Sequence, residues 1–343
     1  MKTASSPPTT SAPRHEAQLS LRESRGSIGE FVLRTPGVGP ALALALAIVV
    51  FSLTTSTFLR LDNLSLVVEQ SLVVGTMALG QTLVILTGGI DLANAAITVL
   101  SSLIMAKLAM TGSAEPHALF AGLAVATILG GVSGMLVTRF KLPPFIVTLG
   151  LLTIVTAVAR IYSHGQSVPV QGEMLGLLKT RRYLFGGIEI TYGMPLALGM
   201  FFLFWYALTR TAWGRHVYAV GNSPEAARLS GIHVARTVSS VYLLAGLVYG
   251  IAAWQALGRV PNADPNAYQT GNLDSITAVV LGGTSLFGGR GSVLGTLVGA
   301  LIVTVLRSGL TQAGIDDLYQ DVATGVLVIV AVAVDRFSRA RQS

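Results

Sequence analysis

The sequence predicts an all-α, polytopic integral membrane protein of about ten transmembrane helices, on three observations. Of 343 residues, 52% are hydrophobic and only 11% are charged, a balance foreign to soluble globular domains of this size. Apolar runs of about 20 residues, the length that crosses a hydrocarbon core at ~1.5 Å per residue, recur along the chain. There are 38 glycines, several spaced four apart (Gly291, Gly295 and Gly299; Gly130 and Gly134; Gly246 and Gly250), the pattern by which membrane helices bring their backbones together.

Residues 1–35 are rich in Ser, Thr, Pro and Arg, with SSPPTTSAP near the start. Such a stretch buries too little apolar surface to offset its ordering entropy, so a disordered cytoplasmic tail is expected. It is too long and polar for the leading region of a signal peptide, so the following apolar run is a retained first span. Candidate spans lie near 38–57, 66–87, 92–111, 118–138, 144–162, 193–209, 238–257, 273–288, 292–310 and 319–335, within a transmembrane domain over 36–337, before a short cytoplasmic tail at 338–343. The third follows a Gly-Gly-Ile-Asp break, and the eighth is interrupted by Gly282 and Gly283.

Charge sets the orientation. With the N-terminus inside, Arg60, Lys107, Arg160, Lys179, Arg181, Arg182, Arg259 and Arg307 fall on the outer face and the other fifteen of 23 basic residues on the cytoplasmic face. That is the sense of the positive-inside bias, and both termini are then cytoplasmic. The misfit is the cluster Lys179, Arg181 and Arg182, in an outer loop long enough for a re-entrant or amphipathic segment.

The loop 210–237 is the most informative polar stretch. Ser223 suits an N-cap, Pro224 the first helical position and Glu225 the positive end, while Gly231 suits a left-handed termination. The spacing predicts a helix over about 224–230. So short a helix is marginal alone and needs a surface to dock on. Ala226 and Ala227 would let that surface approach closely. One reading makes this helix the handle by which a separate motor protein works a pore; the other makes it a solvated loop helix.

Asp91 borders an apolar run, where a carboxylate usually faces protein or water. Gly88 and Gly89 precede it, which suits a broken helix whose freed backbone lines a cavity; a polar turn with Asp91 as N-cap suits the same residues. LGGTSL at 281–286 repeats part of LTGGIDL at 86–92, and paired interruptions in two halves of a transporter point to its path, although both segments run in the same direction here, which fits a parallel repeat or coincidence better than an inverted repeat. Gly88, Gly89, Asp91, Asn94, Gly282 and Gly283 are therefore the candidate translocation residues.

Catalytic chemistry has little support. The chain has no cysteine, which excludes disulfides and thiolate zinc sites, and its histidines, His15, His117, His164, His216 and His233, form no zinc-helix spacing. None of the four lysines follows a glycine as a nucleotide-binding Walker loop requires, and GGRGS at 288–292 reads as a tight turn. No metal or cofactor is expected, and ATP, if used, is hydrolysed by another chain. The net charge of +7 is scattered over loops with 7% aromatic residues, which argues against a nucleic-acid partner.

Four blocks carry a resemblance: TLVILTGGIDL at 82–92, PPFIVTLGLLTI at 143–154, GRHVYAVGNSPEAARLSGI at 214–232 and LDSITAVVLGGTSLFGGRGSVLGTLVGALI at 273–302. In these the chain resembles the membrane permease subunits of bacterial ABC importers of the ribose, xylose and arabinose type, over roughly residues 40–337. The resemblance implies an inner-membrane pore formed with a second permease chain, identical or paralogous, together with cytoplasmic ATPase subunits and an extracytoplasmic solute-binding protein. Membrane lipid is the remaining partner. Glu225, Ala226, Ala227 and Gly231, with Arg228 among them, match the coupling pattern that such permeases present to the ATPase. The family commonly continues GGIDL with Ser-Val-Gly, where this chain has Ala93, Asn94 and Ala95, a departure that bears on the pore lining and the solute. The implied function is import of a monosaccharide or related small polyol by alternating access. A nucleoside, inositol, a branched-chain amino acid or a sugar-like signal is the alternative within the class. The rival outside it, an ion-coupled secondary transporter, needs ionisable residues near mid-membrane, and Asp91 near a span end serves that poorly.

Overall fold

The computed structural model describes residues 38–170, 172–183 and 189–340. The tail expected over 1–35 and the last three residues lie outside them. Twelve α-helices run through the described residues. In order they are α1 (Val38–Thr54), α2 (Leu61–Leu86), α3 (Asn94–Met110), α4 (Glu115–Arg139), α5 (Pro144–Ser163), α6 (Gly193–Arg210), α7 (Ala212–Asn222), α8 (Pro224–Leu229), α9 (Val234–Arg259), α10 (Gly271–Leu281), α11 (Val293–Gln312) and α12 (Asp317–Ala340). A helix occupies each of the apolar segments read from the sequence, and α7 and α8 fill the polar stretch between α6 and α9. Five of them, α2, α4, α5, α9 and α11, are long and apolar enough to cross a membrane. The protein is thus all-α and polytopic, with at least five membrane-length helices.

The eighth expected segment is shorter as a helix than its apolar run suggested. α10 has 11 residues, about 16 Å at ~1.5 Å each, roughly half the thickness of a hydrocarbon core. Gly283, at φ +83°, ends it in the left-handed region that costs glycine little.

Helix α2 is the hub. It packs on α9, α10 and α11, and from Val73 to Leu86 every residue is buried. A helix enclosed on all sides must be small where its neighbours are large: a Cβ at Gly80 would overlap the ring of Tyr249, which is itself fully buried. The most extensive helix pair is α4 with α9. There a Cβ at Gly130 would overlap the carbonyl oxygen of Tyr242, and one at Gly246 the carbonyl oxygen of Ala126. The small-residue spacing is therefore used for backbone-to-backbone packing, which in lipid must replace the hydrophobic drive between helices.

Isolated polar side chains pair across the interior. Thr82 and Thr296 hydroxyls meet at 2.7 Å between α2 and α11, Thr76 donates to Gln255 Oε1 at 2.7 Å between α2 and α9, and Asn94 Nδ2 donates to Ser275 Oγ at 2.6 Å between α3 and α10. Each satisfies groups that hydrocarbon would leave unpaired.

Loops at the end of the bundle where α5 and α9 finish carry two minimal antiparallel ladders. β1 (Val168–Pro169) pairs with β4 (Asn262–Ala263), Val168 opposite Ala263, and β2 (Arg181–Tyr183) pairs with β3 (Glu189–Thr191), Arg181 opposite Thr191. Where an amphipathic or re-entrant segment is expected around 179–182, the described residues form a one-turn 3-10 helix, Leu177–Lys179, followed by the β2–β3 ladder. The loop is tied down by Glu115 at the start of α4, whose carboxylate accepts the backbone N–H groups of Glu173, Met174 and Leu175 at 3.1, 2.6 and 3.2 Å.

Candidate functional site

At the opposite end of the bundle, α7 and α8 form a small projecting unit. Thr211 caps α7, its Oγ1 accepting from Gly214 N at 3.2 Å, and Val217 and Val220 are buried beneath it. Tyr218 reaches across to donate its hydroxyl to the Gly291 carbonyl at 3.0 Å, and burial raises its phenol above the ordinary tyrosine value. Helix α8 then begins with Ser223, whose Oγ accepts from Ala226 N at 3.2 Å, and with Pro224 at its first position.

Its end is a Schellman closure. Gly231 sits at φ +83°, its N–H bonds the Arg228 carbonyl at 3.0 Å, and Ile232 N–H bonds the Ala227 carbonyl at 3.0 Å. The two alanines face opposite ways: Ala227 is buried against the protein, while Ala226 is exposed with Glu225 and Arg228. Leu229, not singled out by its motif, is 86% exposed at the tip of the helix. A lone leucine in a polar stretch carries no periodicity, so its exposure had no sequence signal.

Both Gly-Gly breaks end their helices in the same closure. After α2, Gly88 at φ +79° bonds Ile85 O at 2.8 Å and Gly89 bonds Val84 O at 3.1 Å; after α10, Gly283 bonds Val280 O at 2.9 Å and Thr284 bonds Val279 O at 3.1 Å. The local resemblance of the two sequences is thus one of helix-ending chemistry.

The candidates of the first break meet residues on and after α10, and not Gly282 or Gly283 themselves. Asn94 bonds Ser275 on α10, and a Cβ at Gly288 would lie 2.8 Å from the Gly88 nitrogen. Gly282 packs elsewhere, against the backbone of Gly295 and Thr296 on α11.

Asp91 is fully buried, between the end of α2 and the start of α3. Its Oδ1 accepts from Ala93 N at 2.9 Å. The side-chain amide of Gln81 embraces its backbone, donating to the Asp91 carbonyl at 2.9 Å and accepting from its N–H at 3.2 Å. The N-cap position of α3 belongs to Ala93, with no side-chain cap bond. Asp91 therefore braces the turn two residues ahead of the cap.

The α7–α8 unit rests directly on these turns. A Cβ at Gly221 would overlap the Leu86 carbonyl oxygen, and one at Gly289 would lie 2.9 Å from the Asn222 Cα. Asn222 is followed at once by Ser223, the cap of α8. One residue thus separates the exposed helix from contact with the turns after α2 and α10.

Near the other end, a cavity of about 250 Å³ between α2, α6 and α9 is lined by Glu69, Thr191, Gln255 and Arg259 among others. Beside α10, Arg307 on α11 bonds Asp274 at 2.9 Å, Asp321 on α12 at 3.1 Å and the Thr270 hydroxyl at 2.9 Å. Lys107 donates to the Tyr162 carbonyl at 2.6 Å, with its ammonium 4.4 Å from that ring's centroid. These two basic residues of the expected outer set are bound to protein.

Residues 63–332 match a family described as branched-chain amino acid transport system / permease component. The chain is similar to the fructose import permease protein of Rhizobium meliloti, 42% identical over 315 residues that cover 90% of this chain and 88% of the relative. It is also similar to the ribose import permease protein of Bacillus subtilis, 38% identical over 87% of this chain and 92% of the relative. The galactose/methyl galactoside import permease protein of Haemophilus influenzae is 31% identical, over 83% of this chain and 90% of the relative. No solved structure matches the chain.

Proposed function

Since the chain belongs to the branched-chain amino acid transport system / permease component family, we propose that the solute it admits is a monosaccharide or closely related small polyol. The chain is a permease subunit of a bacterial ABC importer, a multi-pass inner-membrane protein whose ATP is hydrolysed by a separate subunit. The observation that carries the choice of solute is the 42% identity, over nine tenths of this chain, to a permease named for fructose. Permeases named for ribose and galactose point the same way, although the family description names branched-chain amino acids.

In this reading two permease chains form the pore, two cytoplasmic ATPase subunits drive it, and an extracytoplasmic binding protein delivers the sugar. About ten helical segments lie in the membrane, with both termini and α8 in the cytoplasm. Glu225, Ala226, Arg228 and Leu229 are the contact face of α8, with Ala227 and Gly231 fixing its seat and its end.

The motion passes through Asn222 and Gly221 to the turns at Leu86–Asp91 and Gly282–Gly291. That route is supported by close backbone packing, which transmits displacement because nothing compressible intervenes. Gly88, Gly89, Asp91, Asn94, Gly282 and Gly283 are the inner part of the path. This chain supplies no catalytic residue.

The test is reconstitution in proteoliposomes with a cognate ATPase subunit and solute-binding protein. Vanadate-sensitive, ATP-dependent uptake of labelled fructose or ribose, competed by other monosaccharides and not by leucine, is the expected result. Leucine uptake instead would replace the solute, and uptake abolished by a protonophore at constant ATP would replace the mechanism.

A further inference from the structure

A second built feature lies beside the α8 helix and shares only Arg228 and Gly231 with the coupling unit described above. A cavity of about 740 Å³ opens between the last turn of α4 and the first turn of α9. Lys141, Arg228, His233 and Arg236 line it, with the apolar side chains of Val137 and Val238 on its inner wall. No acidic residue is among the described residues lining it, and among the described residues Lys141, Arg228 and Arg236 make no ion pair. Three basic side chains are thus gathered around one concavity with no acidic partner among the described residues.

The wall above the cavity is apolar and uncovered. Met135 on α4 and Leu243 on α9 are 50% and 46% exposed, on the two helices whose ends frame the opening. Between them Gly131 leaves a shallow slot, where an added Cβ would meet only Leu243 Cδ1, at 3.9 Å. A ligand that fits both parts carries negative charge at one end and hydrocarbon at the other.

We propose that this cavity holds the headgroup of an anionic phospholipid of the inner leaflet, its acyl chains lying along the α4–α9 face. Guanidinium groups suit phosphate because they can donate two parallel hydrogen bonds to its oxygens. Basic recesses between membrane helices at the cytoplasmic surface bind such headgroups. An acidic peptide would satisfy the charges but not the apolar wall. The lipid would sit against Arg228 and Gly231 at the seat of α8, so its occupancy bears on how firmly that helix is held.

The purified, delipidated chain in detergent, titrated with cardiolipin or phosphatidylcholine and read by native mass spectrometry, tests this. Cardiolipin is expected to remain bound and to raise the melting temperature, with phosphatidylcholine doing neither. The double variant Lys141→Gln/Arg236→Gln is expected to lose at least ten-fold in cardiolipin affinity, the charge-keeping pair Lys141→Arg/Arg236→Lys to restore it, and Arg160→Gln, distant from the cavity, to leave it unchanged. Equal retention of cardiolipin by wild type and the double Gln variant overturns the proposal. So does equal binding of phosphatidylcholine, competition by inorganic phosphate alone, or complete displacement of the lipid by the ATPase subunit. Lipid retention in detergent is read without transport, so it stands or falls independently of the solute and of the motor.

Discussion

Gly289 donates its backbone N–H to the carbonyl oxygen of Leu86 at 3.0 Å, fastening the turn after α10 to the last residue of α2. Gly221 of α7 closes over the same carbonyl, with no room for a side chain between them. Three segments far apart in the chain thus converge on one peptide group. Gly221→Val is expected to force them apart, costing about 1–3 kcal/mol by overpacking, and to abolish ATP-driven uptake. Gly199→Ala, whose added carbon meets nothing within 4 Å, is the control. Melting temperature in detergent and uptake in proteoliposomes read the two; an unchanged Gly221→Val protein would remove this junction from the mechanism.

Glu225→Lys is expected to leave the chain inserted and folded while uncoupling or detaching the ATPase, since Glu225 is exposed in the first turn of α8 and makes no ion pair among the described residues. Leu229→Ser is expected to weaken the same association. Co-purification of the ATPase with each variant measures it. Ser223→Ala, which removes the bond to Ala226 N, should cost about 1 kcal/mol locally and lower the association further.

Asp91 can be tested by keeping its bond and removing its charge. Asp91→Asn retains an oxygen to accept from Ala93 N, so near-native stability is expected, whereas Asp91→Ala strands that buried donor at a cost of about 1–3 kcal/mol. If the residue only braces the turn, the Asn variant transports normally. Loss of transport in a stably folded Asn variant would assign the carboxylate to the path itself.

Arg307 holds α10 and α12 to α11 through Asp274, whose side chain is 8% exposed, and Asp321, 42% exposed. Arg307→Met is expected to cost about 3 kcal/mol, because it leaves the Asp274 carboxylate buried and unanswered. Asp321→Asn, at the exposed end of the network, should cost under about 1 kcal/mol. Chemical denaturation of the pair and of the double variant separates the two contributions.

The local chemistry of α8 was legible residue by residue. A Ser-Pro-Glu start and a glycine stop depend on neighbours in the chain, so Ser223 and Gly231 take the geometry their types suggest. The apolar segments were equally plain, because hydropathy is a local sum. The break in the eighth segment was legible at Gly282 and Gly283, where α10 ends; what hydropathy hid was that the apolar residues beyond, Leu286 and Phe287, do not resume the helix. The pairing of Arg307 was also hidden, because counting spans assigns a charge to a face and not to a partner. The opposed faces of Ala226 and Ala227 escaped the motif, since adjacent helical positions point about 100° apart and the motif does not say which side is covered.

The seam of α4 and α9 has a corollary for the transport cycle. With the Gly130 and Gly246 backbones pressed against their neighbours, there is no cushion of side chains there for one rod to slide along the other. Whatever rearranges when the gate changes sides, those two must travel as a single stiff keel, and displacement has to be taken up at hinges such as the turns that flank Leu86 and Gly283.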